Sequence, residues 1–497
     1  MSTPEIILPR QRTVVSLLMM MFALTLGASG YLLTDLDQYG TLPANWQLPP
    51  LAGLDIQGPW YVGVTVWFGL GLIAWGITKW RLPYADPLVL PATFLLSGIG
   101  ISMIHRLDQY DELRSAELQM LWLCGAVLAY AVIVLLLRDH RRLQRYTYLW
   151  FAAGLMLILM PLLPGLGKEN HGARIWIAVG PLSFQPAEIA KIILSIAFAA
   201  YLVEKGDVLA QAGRRLLGIA LPRARDLGPI IIAWAISLVI LVFERDLGTT
   251  LLFFGLFVTM LYIATERVSW VLLGALLVAA MGVLGFTLFD HVQTRFESWL
   301  NPFTDYDKNL QIISAQFGFA SGGLFGTGWG QGRPYLTPLA KNDFIAAALG
   351  EELGLFGLFA VVLLFGFIVA RLLRAALTAT EPFGKLLAAG LGFVFALQVF
   401  VILGGVTRLL PLTGLTTPFV SQGGSSLISN FIMVGLMLTI THQVRRPHNR
   451  PHVTEEYVSL SGEATQTLPA LTGARTPRPD PTAFTPTSPP SVEEGGA

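Results

Sequence analysis

A dozen apolar runs, each near the length a helix needs to cross hydrocarbon, dominate this chain. Crossing takes about 20 residues in a helix. Runs near 13–33, 59–78, 87–104, 118–137, 149–167, 188–203, 229–243, 247–265, 268–289, 343–370, 386–407 and 419–443 meet or approach that length. Inside a bilayer the backbone has no water to bond, so such runs can fold only as helices that satisfy their own N–H and C=O groups. The fold class is therefore all-α, a polytopic transmembrane helical bundle of about 12 helices. Composition agrees, with 54% of the 497 residues hydrophobic and 13% charged, against about 25% charged in soluble domains.

The first run is uncharged and exceeds the roughly 7 to 15 residue core of a cleavable signal, so it is expected to stay as a first helix. The runs at 188–203 and 229–243 are short and bordered by charge, as helices beside protein or a wet cavity tolerate. A formal charge of +1 is uninformative, because in a membrane protein the placement of charges outweighs their sum. The single cysteine, Cys124, lies in an apolar segment and reads as a small core residue; it excludes a disulfide within the chain and a Cys-based metal cluster. No Walker-type phosphate loop, dinucleotide fingerprint or His-rich metal motif is present, which argues against ATP-driven pumping by this chain.

Orientation follows from Lys and Arg. With the N-terminus in the cytoplasm, one set of loops collects Arg10 and Arg12, Lys79 and Arg81, Arg138 to Arg145, Arg371 and Arg374, and Arg445 and Arg446, while the intervening loops are poorer in basic residues. The positive-inside rule then predicts both termini cytoplasmic, with 168–187, 290–342 and 408–418 facing outward. The stretch 290–342 reads as the longest outer loop, and its glycine-rich part, ASGGLFGTGWGQG (320–332), suits close backbone approach. Beyond Arg450 the composition turns to Pro, Thr, Ser and Glu, as expected of a disordered cytoplasmic tail.

Four stretches carry polar chemistry. In NHGARIWIAVGPLSFQPAEIAK (170–191), Pro186 suits the first position of a helix. Glu188 and Lys191, three apart, share a helical face and read either as a self-neutralising pair or as part of a functional cavity. Arg174 just ahead has the planar fork that binds phosphate bidentately. FERDLGTT (243–250) sets Glu244, Arg245 and Asp246 between two apolar runs, near enough to join Arg174 if the helices are neighbours; a tight turn explains Gly248 equally well. RLLPLTGLTTPFVSQGGSS (408–426) predicts a structured re-entrant turn, architectural in role, with Ser421, Ser425 and Ser426 as caps. PLAKNDFIAAALGEELG (338–354) places Asp343 at a helix mouth, where it either caps the helix or borders a cavity. Glu351 and Glu352 lie two turns deeper, so at least one should be paired or protonated.

Together these stretches resemble the SEDS family of bacterial cell-wall polymerases, the RodA and FtsW type, over roughly residues 87–443. HGARIWI...FQPAEIAK is similar to that family's arginine and QPSE.AK motif, RDLGT to PDLGT, and LQIISAQFGFASGGLFGTGWG to YQ...S..AIGSGG..GKG. NDFIAAALGEELG is similar to TDFIFA..GEE.G, and LLPLTGLTTPFVSQGGSSL to LLP.TG.PLPFISYGGSS. Departures are Gln422 for tyrosine, Arg408 for glycine, Ile402 for asparagine and Ala187 for serine, which change the local support of the last turn. The resemblance implies a ten-helix core at 87–446, preceded by an extension at 1–86 with two helices and followed by the tail at 447–497. The purpose of the two extra helices is not legible; a docking surface for a partner is one reading.

The resemblance further implies that Asp343 is the catalytic aspartate, while Arg174, Glu188, Lys191 and Asp246 fall on motif positions of the outward polar cavity and Gln311 on the loop's glutamine. Arg245 joins Arg174 as a cation for a departing pyrophosphate. The implied activity is an inverting peptidoglycan glycosyltransferase that polymerises lipid II, with no organic cofactor, no dedicated metal site, and a divalent cation as an optional aid. A class B penicillin-binding protein transpeptidase is the implied partner, the membrane the setting, and nucleic acid has no part. The alternatives are a lipid II flippase or a scaffold that recruits a transpeptidase. The motif GVTRLLPLTGLTTPF leans toward RodA-like relatives.

Overall fold

The computed structural model describes residues 9–39, 45–47, 57–59, 61–111, 114–170, 173–179, 182–209, 212–216, 219–222 and 228–446. The tail expected at 447–497 lies outside the described residues. Hydrophobic runs become helices in chain order: α1 (Pro9–Tyr39), α2 (Tyr61–Arg81), α3 (Val89–Asp111), α4 (Ser115–Leu136), α5 (Thr147–Leu159), α6 (Pro186–Leu209), α7 (Gly228–Phe243), α8 (Leu247–Thr265) and α9 (Val268–Leu288). They continue with α10 (Asp290–Leu300), α11 (Tyr306–Gly322), α12 (Ile345–Thr378), α13 (Pro382–Val406) and α14 (Gly424–Arg445). Among the described residues, eleven helices are long and apolar enough to cross a membrane. The chain is an all-α, multi-pass membrane protein.

The run at 229–243 forms the short helix its length predicts: α7 has 16 residues, or about 24 Å at 1.5 Å per residue, and ends just before Glu244, whose carbonyl meets the Arg174 amide. The run at 188–203, by contrast, grows into the 24 residues of α6. The fifth span shifts toward its N-terminal side: a 3-10 turn over His140–Tyr146 leads into α5, and a second one at Met160–Leu162 ends it. Pro161, which has no N–H to donate, breaks the α pattern there.

The most enclosed helices are α3, α6, α13 and α14. Phe94, Phe395, Phe419 and Phe431 form one aromatic chain among them. Helices without a hydrophobic driving force in lipid associate by close packing of small residues, and α1 meets α3 in this way: a Cβ added to Gly27 would lie 3.0 Å from the Gly98 Cα. Cys124 is half-buried rather than central. Strands are confined to small antiparallel pairings, namely β1 (Asn45–Gln47) with β2 (Gln57–Pro59), β3 (Gly167–Asn170) with β4 (Ala173–Val179) and β5 (Leu182–Phe184), and β6 (Ala212–Leu216) with β7 (Ile219–Pro222).

The region read as one long loop at 290–342 is largely ordered structure. DHVQTRFESWL repeats apolar residues at helical spacing and forms α10, which buries Val292. Asp305 caps α11 by accepting from the Lys308 amide at 3.2 Å. The glycine-rich stretch begins inside α11, turns at Gly323 (φ 52°), and lies against a break in α12. That break is at Gly354, whose φ of 69° and ψ of −174° are closed to most L-residues. The expected single helix at 343–370 is thus two helical pieces joined at 354.

Candidate active site

Asp343 sits in a turn that two sides hold in place. Leu339 takes a left-handed backbone (φ 56°), and its carbonyl accepts from the Asn342 amide at 2.9 Å. Lys341 reaches α3, with Nζ 2.5 Å from an Asp108 oxygen and 2.7 Å from Asp111. On the other side the Lys341 carbonyl accepts from the Gln422 amide at 2.8 Å, and the Asn342 carbonyl accepts from the Ser421 hydroxyl at 2.6 Å. The neighbours of Asp343 are therefore pinned to α3 and to the turn just before α14. Asp343 is half-buried, and its carboxylate takes no hydrogen bond among the described residues. It is not the helix cap: that position belongs to Phe344, and no side chain caps α12.

A residue that sequence reasoning missed gives this carboxylate its electrostatic setting. Arg295, from α10, donates through Nη1 to the Leu412 carbonyl at 2.7 Å. Gly414 lies against both groups: a Cβ added there would be 3.8 Å from an Asp343 oxygen and 3.9 Å from both terminal nitrogens of Arg295. Loss of hydration raises the Asp343 pKa to about 6, against the opposing pull of the Arg295 charge and with a further push from Asp246. Nothing local marked Arg295, because its helix was read as loop and its partners are about 50 and 120 residues away in sequence.

Asp246 caps α8. It accepts from the Thr249 amide at 2.9 Å and from the Thr249 hydroxyl at 2.5 Å. Burial raises its pKa, while the bonds from Thr249 and the charge of Arg295 lower it. Two residues earlier, burial and the nearby Asp246 push the Glu244 carboxyl up to about 9, so it is protonated at neutral pH. Gly248 is explained by packing rather than by a turn, since a Cβ there would sit 2.5 Å from Leu415. Arg174 lies on β4, half-buried, and its backbone amide donates to the Glu244 carbonyl at 3.3 Å. That bond joins the two motifs as expected, through main chain. Arg245 is exposed with a left-handed backbone (φ 57°). Gln311 is half-buried on α11.

Glu188 and Lys191 form a buried pair at 2.6 Å, and the pair is part of a wider network. Lys191 also donates to Gln398 of α13 at 2.9 Å, Gln398 donates to the Thr416 carbonyl at 3.0 Å, and Ser429 of α14 donates to Glu188 at 3.0 Å. The network therefore supports the re-entrant segment 407–423 from beneath. Arg408, where the resembled family has glycine, has φ 61°, a conformation suited to glycine. Its side chain donates to the Trp299 carbonyl at 2.9 Å and its own carbonyl accepts from the Trp299 indole at 2.9 Å, so α10 is tied to the turn.

Glu351 and Glu352 hold the glycine-rich segment. Glu351 accepts from the Arg333 amide at 2.6 Å, Glu352 accepts from the Gly330 amide at 3.1 Å, and Arg106 of α3 pairs with Glu352 at 3.2 Å. Both carboxylates are partnered, as their depth required. Two open cavities flank the Asp343 segment. One of about 460 Å³ is lined by Tyr110, Tyr335, Lys341 and Gln422, and one of about 520 Å³ by Ser314, Gln331, Arg333 and Glu351. Among the described residues no three His, Cys, Asp or Glu side chains converge to hold a metal ion.

A bundle of membrane-crossing helices with a carboxylate at one end, set beside an arginine and near two open cavities, defines a multi-pass membrane protein. The cell cycle protein family of FtsW, RodA and SpoVE matches residues 87–446, and the chain belongs to that family, on its RodA-like side. It is 50% identical to peptidoglycan glycosyltransferase RodA of Mycobacterium tuberculosis over 373 residues, 73% of this chain and 80% of the relative. Against the Mycobacterium leprae protein of the same name identity is 44% over 420 residues, 81% and 88% of the two chains. A chain from a solved peptidoglycan synthase complex described as coordinating polymerization and crosslinking superposes with a TM-score of 0.58 at 25% identity, covering 73% of this chain and 99% of that one.

Proposed function

We propose that this chain, a peptidoglycan glycosyltransferase like the relatives it matches, polymerises lipid II by an inverting transfer in which Asp343 is the general base. The acceptor sugar's 4-hydroxyl gives its proton to Asp343 as its oxygen attacks the anomeric carbon of the donor. The bond from that carbon to the prenyl pyrophosphate breaks with its electrons going to the phosphate oxygen. The observation that carries the reading is the Asp343 carboxylate itself, on a half-buried residue, free of hydrogen bonds among the described residues, and beside Arg295. A base should have a pKa near working pH, and a value of about 6 leaves it mostly ionised at neutrality.

Arg174, Arg245 and Arg295 are assigned to the charge of the departing pyrophosphate, with Lys191 and Glu188 supporting the site from below. A divalent ion, if one is used, would add Lewis-acid charge at the same oxygens; every step above rests on the chain's own residues. The distribution of Lys and Arg supports a plasma-membrane topology in which the Asp343 end faces outward and both termini are cytoplasmic. A class B penicillin-binding protein is the proposed partner, supported by the fold shared with a polymerising and crosslinking complex.

The test is polymerisation by purified protein in detergent. Asp343→Asn should lose activity by about 100-fold or more while its thermal unfolding matches wild type. Unchanged turnover in Asp343→Asn removes this residue from the base role. Absence of polymer from wild type in detergent, with lipid II movement across vesicles, supports a flippase instead.

A further inference from the structure

We propose that α1, which precedes the family-matched region 87–446, is a positioning element for the segment that carries Asp343, and that Thr34 and Trp329 are its point of contact. The inference rests on the polymerase reading above. It begins with a bond across 295 residues of sequence: the Trp329 indole N–H donates to the Thr34 hydroxyl at 3.0 Å. Thr34 is buried, and its own hydroxyl donates back to the Gly30 carbonyl at 2.9 Å. One oxygen thus serves as donor and acceptor, so a group of the same shape without it leaves the indole N–H unpaired.

The far side of that bond is the glycine-rich segment. Trp329 is followed by Gly330, whose amide donates to Glu352 and whose carbonyl accepts from Arg106 at 2.6 Å. Residues 329 and 330 are therefore held from α1, α3 and α12 at once. From there the chain runs directly to the site, with Tyr335 stacked on Tyr110 of α3 at 3.8 Å and Lys341 bound to Asp108 and Asp111. Without α1, residues 329 and 330 would be held by α3 and α12 alone.

The near side is stiff. Between α1 and α3, Ser102 donates to the Gly27 carbonyl at 3.1 Å, and Tyr31 stacks on His105 at 4.0 Å, one residue from Arg106. From α2, the Trp67 indole donates to the Leu24 carbonyl at 3.0 Å. A helix clamped at three levels can transmit a fixed position to a loop of glycines that has no stiffness of its own. Chemistry that depends on near-attack geometry is sensitive to displacements of about 1 Å.

The experiment uses the full chain, purified, with lipid II as substrate. Thr34→Val and Trp329→Phe should each lower kcat by about 10-fold with KM changed by less than about twofold, and the double variant should lose no more than either single one. Thr34→Ser, which keeps the hydroxyl, should restore kcat to within about twofold of wild type. Hydrogen exchange at the amides of Thr327, Gly328, Gly330 and Arg333 should quicken in Thr34→Val. Wild-type turnover in Thr34→Val, equal loss in Thr34→Ser, or multiplied losses in the double variant would overturn the proposal, as would unaltered exchange. If wild type makes no polymer, the polymerase reading fails, while hydrogen exchange still judges the clamp.

Discussion

The Asp343 carboxylate is poised by opposing influences, and that balance has a pH consequence. Burial raises its pKa and Arg295 lowers it, with the net at about 6. A base works when deprotonated, so activity should fall as pH drops through about 6. Replacing Arg295 with Gln removes the lowering charge, and the acid limb of the rate profile should move to higher pH, read from kcat/KM between pH 5 and 8. A limb that stays in place would detach Arg295 from the base. Lys191 presents a different residue-scale case, because it is enclosed with Glu188. Removing one member of a buried pair strands the other, at a cost of about 3–5 kcal/mol, whereas removing both often costs little. Lys191→Met should lower the unfolding temperature sharply, and Glu188→Gln with Lys191→Met should recover most of it. Equal losses in the single and double variants would contradict the network. That Glu188 and Lys191 share a helical face was legible from their spacing; that Gln398 and Thr416 complete the network was not, since those residues belong to other segments.

At the scale of elements, broken helices shape the site. Interruption of α12 at Gly354 leaves its first part beside the glycine-rich segment, whose residues 323 and 324 accept from the amides of Leu355 and Phe356. A Cβ at 354 would lie 2.2 Å from the Gly326 amide nitrogen, and the backbone angles there cost other residues about 1–3 kcal/mol. Gly354→Ala should therefore unfold at lower temperature in a detergent thermal melt and lose activity by shifting residues 323–333. A melt matching wild type would mean the break is tolerant. The run of apolar residues at 343–370 is visible in sequence, yet the break is not, because one glycine inside such a run is common in membrane helices. Sequence also hid α10 and α11, which are too short and polar to register as spans: α10 is bonded to the 407–423 turn and α11 packs on α12.

For the whole molecule, orientation is the property to measure. The distribution of Lys and Arg predicts that the Asp343 end faces outward. In a Cys124→Ser background, Phe325→Cys, at an exposed site on the glycine-rich segment, should react with a membrane-impermeant maleimide in intact cells. Arg141→Cys, on the exposed turn at the opposite end, should react only after permeabilisation. The reverse pattern would invert the topology and place the proposed chemistry on the wrong side. Hydropathy by itself determined that this chain is a bundle of membrane helices, and five short motifs in order pointed to its family, because both are written in contiguous residues. The tertiary structure alone decided that Arg295 stands beside Asp343, that α12 breaks at Gly354, and that α1 reaches the glycine-rich segment through Thr34 and Trp329. Charge, hydration and hydrogen bonding act through space, and the groups that set them around Asp343 come from segments as far apart in sequence as Asp246 and Gly414.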